Sequence, residues 1–168
     1  MSARLLHPTQ LDELLLYRLS RIQAQAAVVV TRLCEGRYGI TRREWRLLVL
    51  LAQAPDIQPS TLAARAQLDR ARTSRAISSL VNKGLLSRVH PPGDRRLAHL
   101  TLTSQGLAVY QALFPQIQVL NQRLLQGLDA TALSQLDALL CHLDQQAQAL
   151  PLEHADLPPV PRGPGRGG

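Results

Sequence analysis

Apolar residues recur at steps of three and four positions along most of the chain, a spacing typical of amphipathic helices. The first such run extends from Thr9 to Glu35 and predicts one long helix. At 1.5 Å per residue this helix would be roughly 40 Å long, which is more than a small domain can cover. We therefore expect its apolar face to pack against a second subunit, and we expect Gly36 and Gly39 to end it.

A capping signal marks the start of the next helix. Thr41 is followed three positions later by Glu44, the spacing at which each side chain can bind the backbone N–H of the other residue. Apolar residues then continue to about Ala54. Pro55 is expected to end this helix, because the residue before a proline disfavours helical geometry.

Two further helices are predicted on either side of a short turn. We expect Ser60 to cap the first, which covers residues 61–66, and residues 67–68 to form the turn. Asp69 is a suitable N-cap for the second helix, which runs to about Lys83 before a glycine ends it.

The period of the pattern changes after these helices. Residues 86–89 and 97–101 predict two short strands, and the sequence Pro-Pro-Gly-Asp between them suits a hairpin loop. The order helix, helix, turn, helix and hairpin is the outline of a winged helix-turn-helix. We therefore predict such a module, centred on residues 60–101.

Helices return after the hairpin. Thr103 is predicted to cap a helix that Pro115 kinks or opens locally, and a last helix with a leucine-rich stripe begins at residues 128–129. The expected architecture is mainly α, a winged helix-turn-helix with a two-stranded β-wing and dimerisation helices at both ends. Its predicted parts are an N-terminal dimerisation helix (1–36), the DNA-binding domain (37–102), C-terminal dimerisation helices (103–150) and a flexible tail rich in proline and glycine (151–168).

The net charge of +7 is concentrated in the middle of the chain. Residues 37–100 hold twelve arginines and lysines against four acids, whereas residues 101–168 hold three arginines against five acids. Such a concentration is typical of a module that contacts phosphates. No apolar run approaches the ~20 residues of a membrane span, and the N-terminus lacks the pattern of a signal peptide. A cytoplasmic protein without membrane contact is expected.

The helix over residues 69–83 has the pattern of a DNA-reading helix. Its apolar face is formed by Ile77, Leu80 and Val81. At 100° per residue, a polar set falls on the opposite face: Arg72, Arg75, Ser79 and Asn82, with Ser78 at the edge. Arginine can donate two hydrogen bonds to guanine in the major groove, and serine or asparagine can read other base edges. Thr73 and Ser74, near the helix N-terminus, are predicted phosphate contacts.

The hairpin adds a second predicted DNA contact. Asp94, Arg95 and Arg96 lie at its tip, where two guanidinium groups can reach a narrow minor groove while the carboxylate orients one of them. The complete set of predicted DNA contacts is Arg70, Arg72, Thr73, Ser74, Arg75, Ser78, Ser79, Arg95 and Arg96.

Two sequence signatures resemble those of the multiple-antibiotic-resistance regulator (MarR) family. The first is Leu-Asp-Arg-Ala-Arg-Thr-Ser-Arg at 68–75, followed by Leu-Val-Asn-Lys-Gly-Leu-Leu-Ser-Arg at 80–88. The second is Pro-Gly-Asp-Arg-Arg at 92–96, followed by Leu-Thr-Leu-Thr-Ser-Gln-Gly at 100–106. With weaker matches upstream, the resemblance covers roughly residues 9–148.

The resemblance implies a helical homodimer whose two reading heads meet successive major grooves of a palindrome. Similar proteins commonly repress nearby genes, and many are released by small aromatic acids, phenols or oxidants. We therefore expect a repressor that binds double-stranded DNA at a palindromic operator and is released by an aromatic carboxylate. In similar proteins the ligand lies between the dimerisation helices and the reading head. The residues expected there are Tyr17, Arg18, Arg21, Trp45 and Arg46.

Two other functions stay open. A redox-responsive repressor would need a reactive thiol, and the candidate is Cys34, because Arg32 and Arg37 nearby would lower its pKa. Alternatively, the winged helix could act as an architectural or protein-binding module. An enzyme is not expected, since the chain contains no catalytic motif or phosphate-binding loop. Neither its two cysteines nor its five histidines have metal-ligand spacing, so no metal or other cofactor is predicted.

Overall fold

The structure, a computed structural model, describes residues 3–89, 98–153 and 158. The chain divides into two compact units, residues 1–124 and residues 125–168. The fold is mainly helical with one two-stranded antiparallel sheet, as predicted. In chain order the elements are α1 (Ala3–Leu6), α2 (Leu15–Thr31), α3 (Arg42–Gln53), α4 (Pro59–Ala66), α5 (Arg70–Asn82), β1 (Leu86–Val89), β2 (His99–Leu102), α6 (Ser104–Leu124) and α7 (Ala130–Glu153).

Helix α2 begins six residues later than the predicted start at Thr9. The carboxylate of Glu13 accepts hydrogen bonds from the backbone and hydroxyl of Thr9, at 2.8 and 3.0 Å. These local bonds compete with helix formation, and residues 11–13 form a 3₁₀ turn instead. Beyond its last residue α2 passes into a π-helical turn, Arg32–Arg37. The helical path ends before Gly39, whose φ is +62°. No residue of α2 is buried.

The predicted capping box of α3 is confirmed, whereas the predicted cap of α4 is wrong. The N–H of Thr41 donates to Glu44 Oε2 at 2.6 Å, and the N–H of Glu44 donates to Thr41 Oγ1 at 3.2 Å. Helix α4 begins at Pro59 with Gln58, not Ser60, as its N-cap. A proline fits the first helical position because its missing N–H would have no partner there.

The core of the first unit surrounds α3. This helix buries Trp45, Leu47, Leu48 and Leu51. The neighbouring elements each contribute at least one buried aliphatic side chain to the same cluster: Leu62 from α4, Ile77 and Leu80 from α5, Leu100 from β2 and Leu113 from α6. Helix α5 is therefore held against α3 by aliphatic packing.

Strands β1 and β2 form the base of the wing. They pair antiparallel with Leu86 opposite Leu102 and Val89 opposite His99. The second strand begins two residues later than predicted, and its Leu100 N–H donates to the carbonyl of Ile57 at 3.0 Å. The predicted wing tip lies outside the described residues.

Helix α6 is joined tightly to the end of α5. The hydroxyl of Thr103 donates to the carbonyl of Gly84 at 2.7 Å and accepts from the N–H of Gly106 at 3.0 Å, which confirms the predicted cap. The helix continues through Pro115 to Leu124. Gly106 is buried against the backbone of Leu85, and no other residue leaves room for that approach.

The second unit is described through α7. Asp129 caps this helix, since its Oδ1 accepts from the N–H of Ala132 at 2.8 Å. The helix extends to Glu153, two residues past the predicted start of the tail at Pro151. Of the tail, residues 154–157 and 159–168 lie outside the described residues. Among the helices described, none combines the length and apolar character needed to cross a bilayer.

We expect Gly106→Ala to destabilise the first unit by roughly 3 kcal/mol, because the added methyl group would collide with the Leu85 carbonyl and push α6 away. Chemical denaturation measures the change. Gly36→Ala is the matched control: a Cβ there meets nothing within 4 Å, so a small change is expected. Equal stabilities of the two variants would contradict the close approach.

Candidate nucleic-acid interface

Helix α5 is held at both ends as its sequence predicted. Asp69 Oδ1 accepts from the N–H of Arg72 at 2.7 Å, and Gly84, with φ of +69°, ends the helical path. The inner face buries Thr73, Ala76, Ile77 and Leu80. Since both ends and the inner face are fixed, the outer face has a defined orientation.

The outer face is rotated relative to the prediction. Val81 is only partly buried, and the centre of the buried face lies nearer Thr73 and Ala76. Ser78 therefore lies in the middle of the exposed face instead of at its edge. Exposed side chains that share this face with it are Ser74, Arg75 and Asn82.

Arg72 and Ser79 lie on one flank of α5. The guanidinium Nε of Arg72 is 3.0 Å from Asp69 Oδ2, and Ser79 is half-buried. Both were predicted on the reading face, together with Arg75 and Asn82. Their positions suit contacts to groups that flank the helix better than contacts to the bases that its exposed face would meet.

Thr73 is not placed to hold a phosphate. Its residue is 1% exposed, and its hydroxyl donates to the carbonyl of Asp69 at 2.9 Å. The prediction for this residue does not fit the geometry, because threonine can satisfy its hydroxyl within the helix and turn its methyl group inward. Arg70 and Ser74 are exposed. Arg95 and Arg96 lie outside the described residues.

A buried ion pair fixes α5 against α3. Glu44 is 2% exposed, and Lys83 Nζ lies 2.9 and 2.8 Å from its two carboxylate oxygens. Lys83 also donates to the carbonyl of Gly39 at 2.8 Å. Burial acts to raise the pKa of Glu44, but hydrogen bonds from Lys83, Ser79 and the backbone of Thr41, together with the Lys83 charge, outweigh it and lower the pKa. The carboxylate is therefore ionised at neutral pH.

Comparison with known proteins identifies the family. Residues 38–97 match the profile of the MarR family. The chain is 28% identical over 116 residues to the homoprotocatechuate degradative operon repressor of Escherichia coli, covering 69% of this chain and 78% of that protein. It is 30% identical over 126 residues to a putative transcriptional regulatory protein for the hcr operon of Thauera aromatica, covering 73% and 75% of the two chains.

The chain belongs to the MarR family. The crystal structure of the PcaV regulator from Streptomyces coelicolor, in complex with its natural ligand, has the same fold: its TM-score is 0.69 at 26% identity, covering 83% of this chain and 97% of that one. Family and fold are those of DNA-binding transcriptional regulators, not of enzymes. Helix α5, with its exposed polar face, therefore belongs to the winged helix of a MarR-family chain.

In the part of the chain that the structure describes, the predicted ligand residues lie in several separate places. Arg18 and Arg21 line a cleft with Asp12 and Glu13 near the start of α2. Trp45 is 8% exposed and stacks on Tyr110, with ring centroids 6.1 Å apart. Two further candidates lie elsewhere: Tyr17 is exposed on α2, and Arg46 lines a separate groove.

The groove at Arg46 has the composition of an anion site. It has a volume of about 400 Å³, and its charged lining is Arg42, Arg43 and Arg46 against Glu35. Arg46 already donates to the carbonyl of Ala66 at 2.9 Å through one nitrogen. Its remaining donors and the two neighbouring guanidinium groups suit a carboxylate.

Cys34 does not have the environment of a reactive thiol. The residue is fully buried in the core. Burial raises the pKa of its thiol, and Arg42, not Arg32 or Arg37, is the guanidinium that opposes this effect. The expectation of a lowered pKa is wrong, because the π-helical turn directs Cys34 inward.

Sequence reasoning missed the Glu44–Lys83 pair. Each residue was assigned only a local role, Glu44 in a cap and Lys83 at a helix end. The two positions are 39 residues apart, so no local pattern joins them. The available signal was the position of Glu44 three and four residues before Leu47 and Leu48, on the apolar face of the helix, where its carboxylate would need a partner.

We expect Lys83→Met to destabilise the protein by about 2–3 kcal/mol, because it leaves a buried carboxylate without its cation. The loss is below that of a fully buried pair since the Lys83 side chain is 35% exposed. Adding Glu44→Gln should recover part of the lost stability.

The stabilising effect of Glu44 should depend on pH. Because folding lowers the pKa of Glu44, its contribution to the free energy of unfolding is complete above the ordinary value of 4.5 and is lost as pH falls through the lowered pKa. The free energies of unfolding of the wild type and of Glu44→Gln, measured by denaturation, should thus converge at acid pH. Parallel dependences on pH would contradict this assignment.

Cys34 should resist thiol reagents in the folded protein, because a buried neutral thiol reacts only when the structure opens. The measurement is labelling of a Cys141→Ser variant with a chromogenic disulfide, since Cys141 is exposed. The same variant in denaturant should label completely. Rapid stoichiometric labelling under native conditions would instead restore the redox hypothesis.

Proposed function

We propose that this MarR-family regulator is a repressor that binds a palindromic operator as a homodimer and is released by an aromatic carboxylate. The observation that carries the proposal is the exposed face of α5, where Arg75, Ser78 and Asn82 stand over a fully packed inner face. Arginine and small polar side chains on a rigid helix are the residue types that read base edges in the major groove. Such a regulator acts on chromosomal DNA, so we expect it in the cytoplasm.

An apolar surface on the first unit supports the homodimer. Helix α2 exposes Leu19, Ile22 and Val29. A groove of about 360 Å³ between α2 and α6 is lined mainly by aliphatic side chains. Surfaces of this kind usually mark an interface. A twofold dimer presents two copies of α5, which is the symmetry that a palindrome matches.

The aromatic carboxylate is proposed from the groove at Arg46 and from the relatives. Three guanidinium groups line that groove, and an arginine fork matches the geometry of a carboxylate. One relative is the repressor of a homoprotocatechuate degradative operon, and homoprotocatechuate is an aromatic acid. Calorimetry with a panel of such acids tests this part. Absence of binding to protein that still binds DNA would contradict it.

The main experiment measures binding to the protein's own promoter region by fluorescence anisotropy, with random competitor DNA and at two salt concentrations. The proposal predicts salt-sensitive binding that survives competitor, with two subunits on each site by sedimentation. Binding removed by competitor calls for a genome-wide selection of sites. Failure of that selection would favour an architectural or protein-binding module.

We expect Arg75→Ala to relax base preference and to cost about 1–3 kcal/mol of operator affinity, since Arg75 is exposed on the reading face. Arg65→Ala is the control, because Arg65 is an exposed arginine of α4 and not of the reading helix. Anisotropy on the operator and on single-base variants gives both quantities. If Arg75→Ala discriminates bases as well as the control does, the assigned reading face is wrong.

A further inference from the structure

Two grooves lined with arginine run along α5. The first, here called the wing-side groove, has a volume of about 380 Å³, and its polar lining is Ser60, Arg70, Ser74 and Arg88, together with the buried Thr73. The second, here called the cap-side groove, has a volume of about 300 Å³ and is lined by Thr41, Arg43, Arg72, Arg75 and Ser79, with Glu44 and Ala76.

The two grooves lie on opposite sides of the helix axis. Positions 70, 73, 74 and 77 of α5 line the wing-side groove, whereas positions 72, 75, 76 and 79 line the cap-side groove. At 100° per residue these two sets are on opposite flanks, and the exposed face with Ser78 lies between them. Each groove therefore borders one edge of the reading face.

An arginine from outside α5 completes each groove. Arg43 is exposed in the first turn of α3. Arg88 lies on β1 two positions after Leu86, so both side chains point to the same face of the ribbon. Leu86 is buried while Arg88 is exposed at the rim. Neither arginine was among the contacts predicted from sequence.

The charge of both grooves is positive. The wing-side groove contains two arginines and no acidic residue. The cap-side groove contains three arginines and one acid, but the charge of that acid, Glu44, is balanced by Lys83. These linings suit an anion on each flank.

The dimensions of B-DNA indicate which anions would lie in the two grooves. The major groove of the DNA is about 12 Å wide, and an α-helix with side chains is about 10–12 Å across. A helix in the groove therefore has one sugar-phosphate backbone along each flank. We propose that the two grooves receive phosphates of the two strands that border one major groove, with Arg43 binding one strand and Arg88 the other. The inference rests on the proposed DNA binding and adds the contacts that position α5.

The first test is the salt dependence of operator binding by Arg43→Gln and Arg88→Gln. Each lost phosphate contact should lower the slope of log K against log salt by about 0.9, and a dimer loses two, which gives about 1.8. Affinity should fall while the ratio of operator to random DNA binding stays within about threefold, because phosphate contacts carry no base information. Arg65→Gln, an exposed arginine outside both grooves, should keep the wild-type slope. Both replaced side chains are exposed, so melting temperatures should not change.

The second test determines which DNA strand each groove contacts. Operators carrying one neutral methylphosphonate linkage at a time identify the phosphates that the wild type needs. The linkage that loses its effect in Arg43→Gln should lie on one strand of the half-site, and the linkage that loses its effect in Arg88→Gln should lie on the other.

Wild-type slopes in both variants, or two linkages on the same strand, would overturn the inference while the regulator function stands. If the wild type selects no sequence at all, the proposed function fails. The slopes of log K against log salt for the two variants on random duplex DNA then still test the inference, since phosphates are common to all DNA.

Discussion

The carboxylate of Glu44 is a charge held almost out of contact with water, and the arrangement of the reading module depends on how it is satisfied. Its donors come from the turn before α3 and from the end of α5, through the Thr41 N–H and the Lys83 ammonium group. A buried charge that loses its partner costs several kcal/mol. Any rotation or slide of α5 against α3 would separate the pair. Aliphatic packing provides most of the driving force for folding, while this pair favours one orientation of the reading helix.

That division of roles explains why few polar interactions are needed inside the module. The core is built almost wholly from leucine, isoleucine and alanine, side chains that tolerate several packings of similar volume. Directional bonds then choose among those packings. Besides the ion pair, the hydroxyls of Thr73 and Thr103 bind backbone carbonyls at the two ends of α5. Together they hold the helix in a fixed rotation, so that its serines and arginines face outward and its flanks meet α3 and β1.

The features that could be predicted from sequence are those whose partners are near one another along the chain. The capping box at Thr41, the cap at Asp69 and the glycine that ends α5 are all decided within four residues. The start of α2 was missed because Glu13 binds Thr9, a bond that competes with the helical pattern. Periodicity showed which residues of α5 share a face, but the rotation of that face depends on packing. Likewise, the proximity of Arg32 and Arg37 to Cys34 in sequence gave no information about the depth of the thiol.

The chain contains a single tryptophan, and its position makes it a fluorescent reporter of helix packing as well as a core residue. Trp45 belongs to α3, while its aromatic neighbours Tyr110 and Phe114 belong to α6. The indole therefore lies between the helix that supports the reading module and the helix that leads away from it. Its emission reports on the packing between these two helices, without interference from other tryptophans. Any displacement of α6 relative to α3 would change the surroundings of the indole and hence the intrinsic fluorescence of the unlabelled protein.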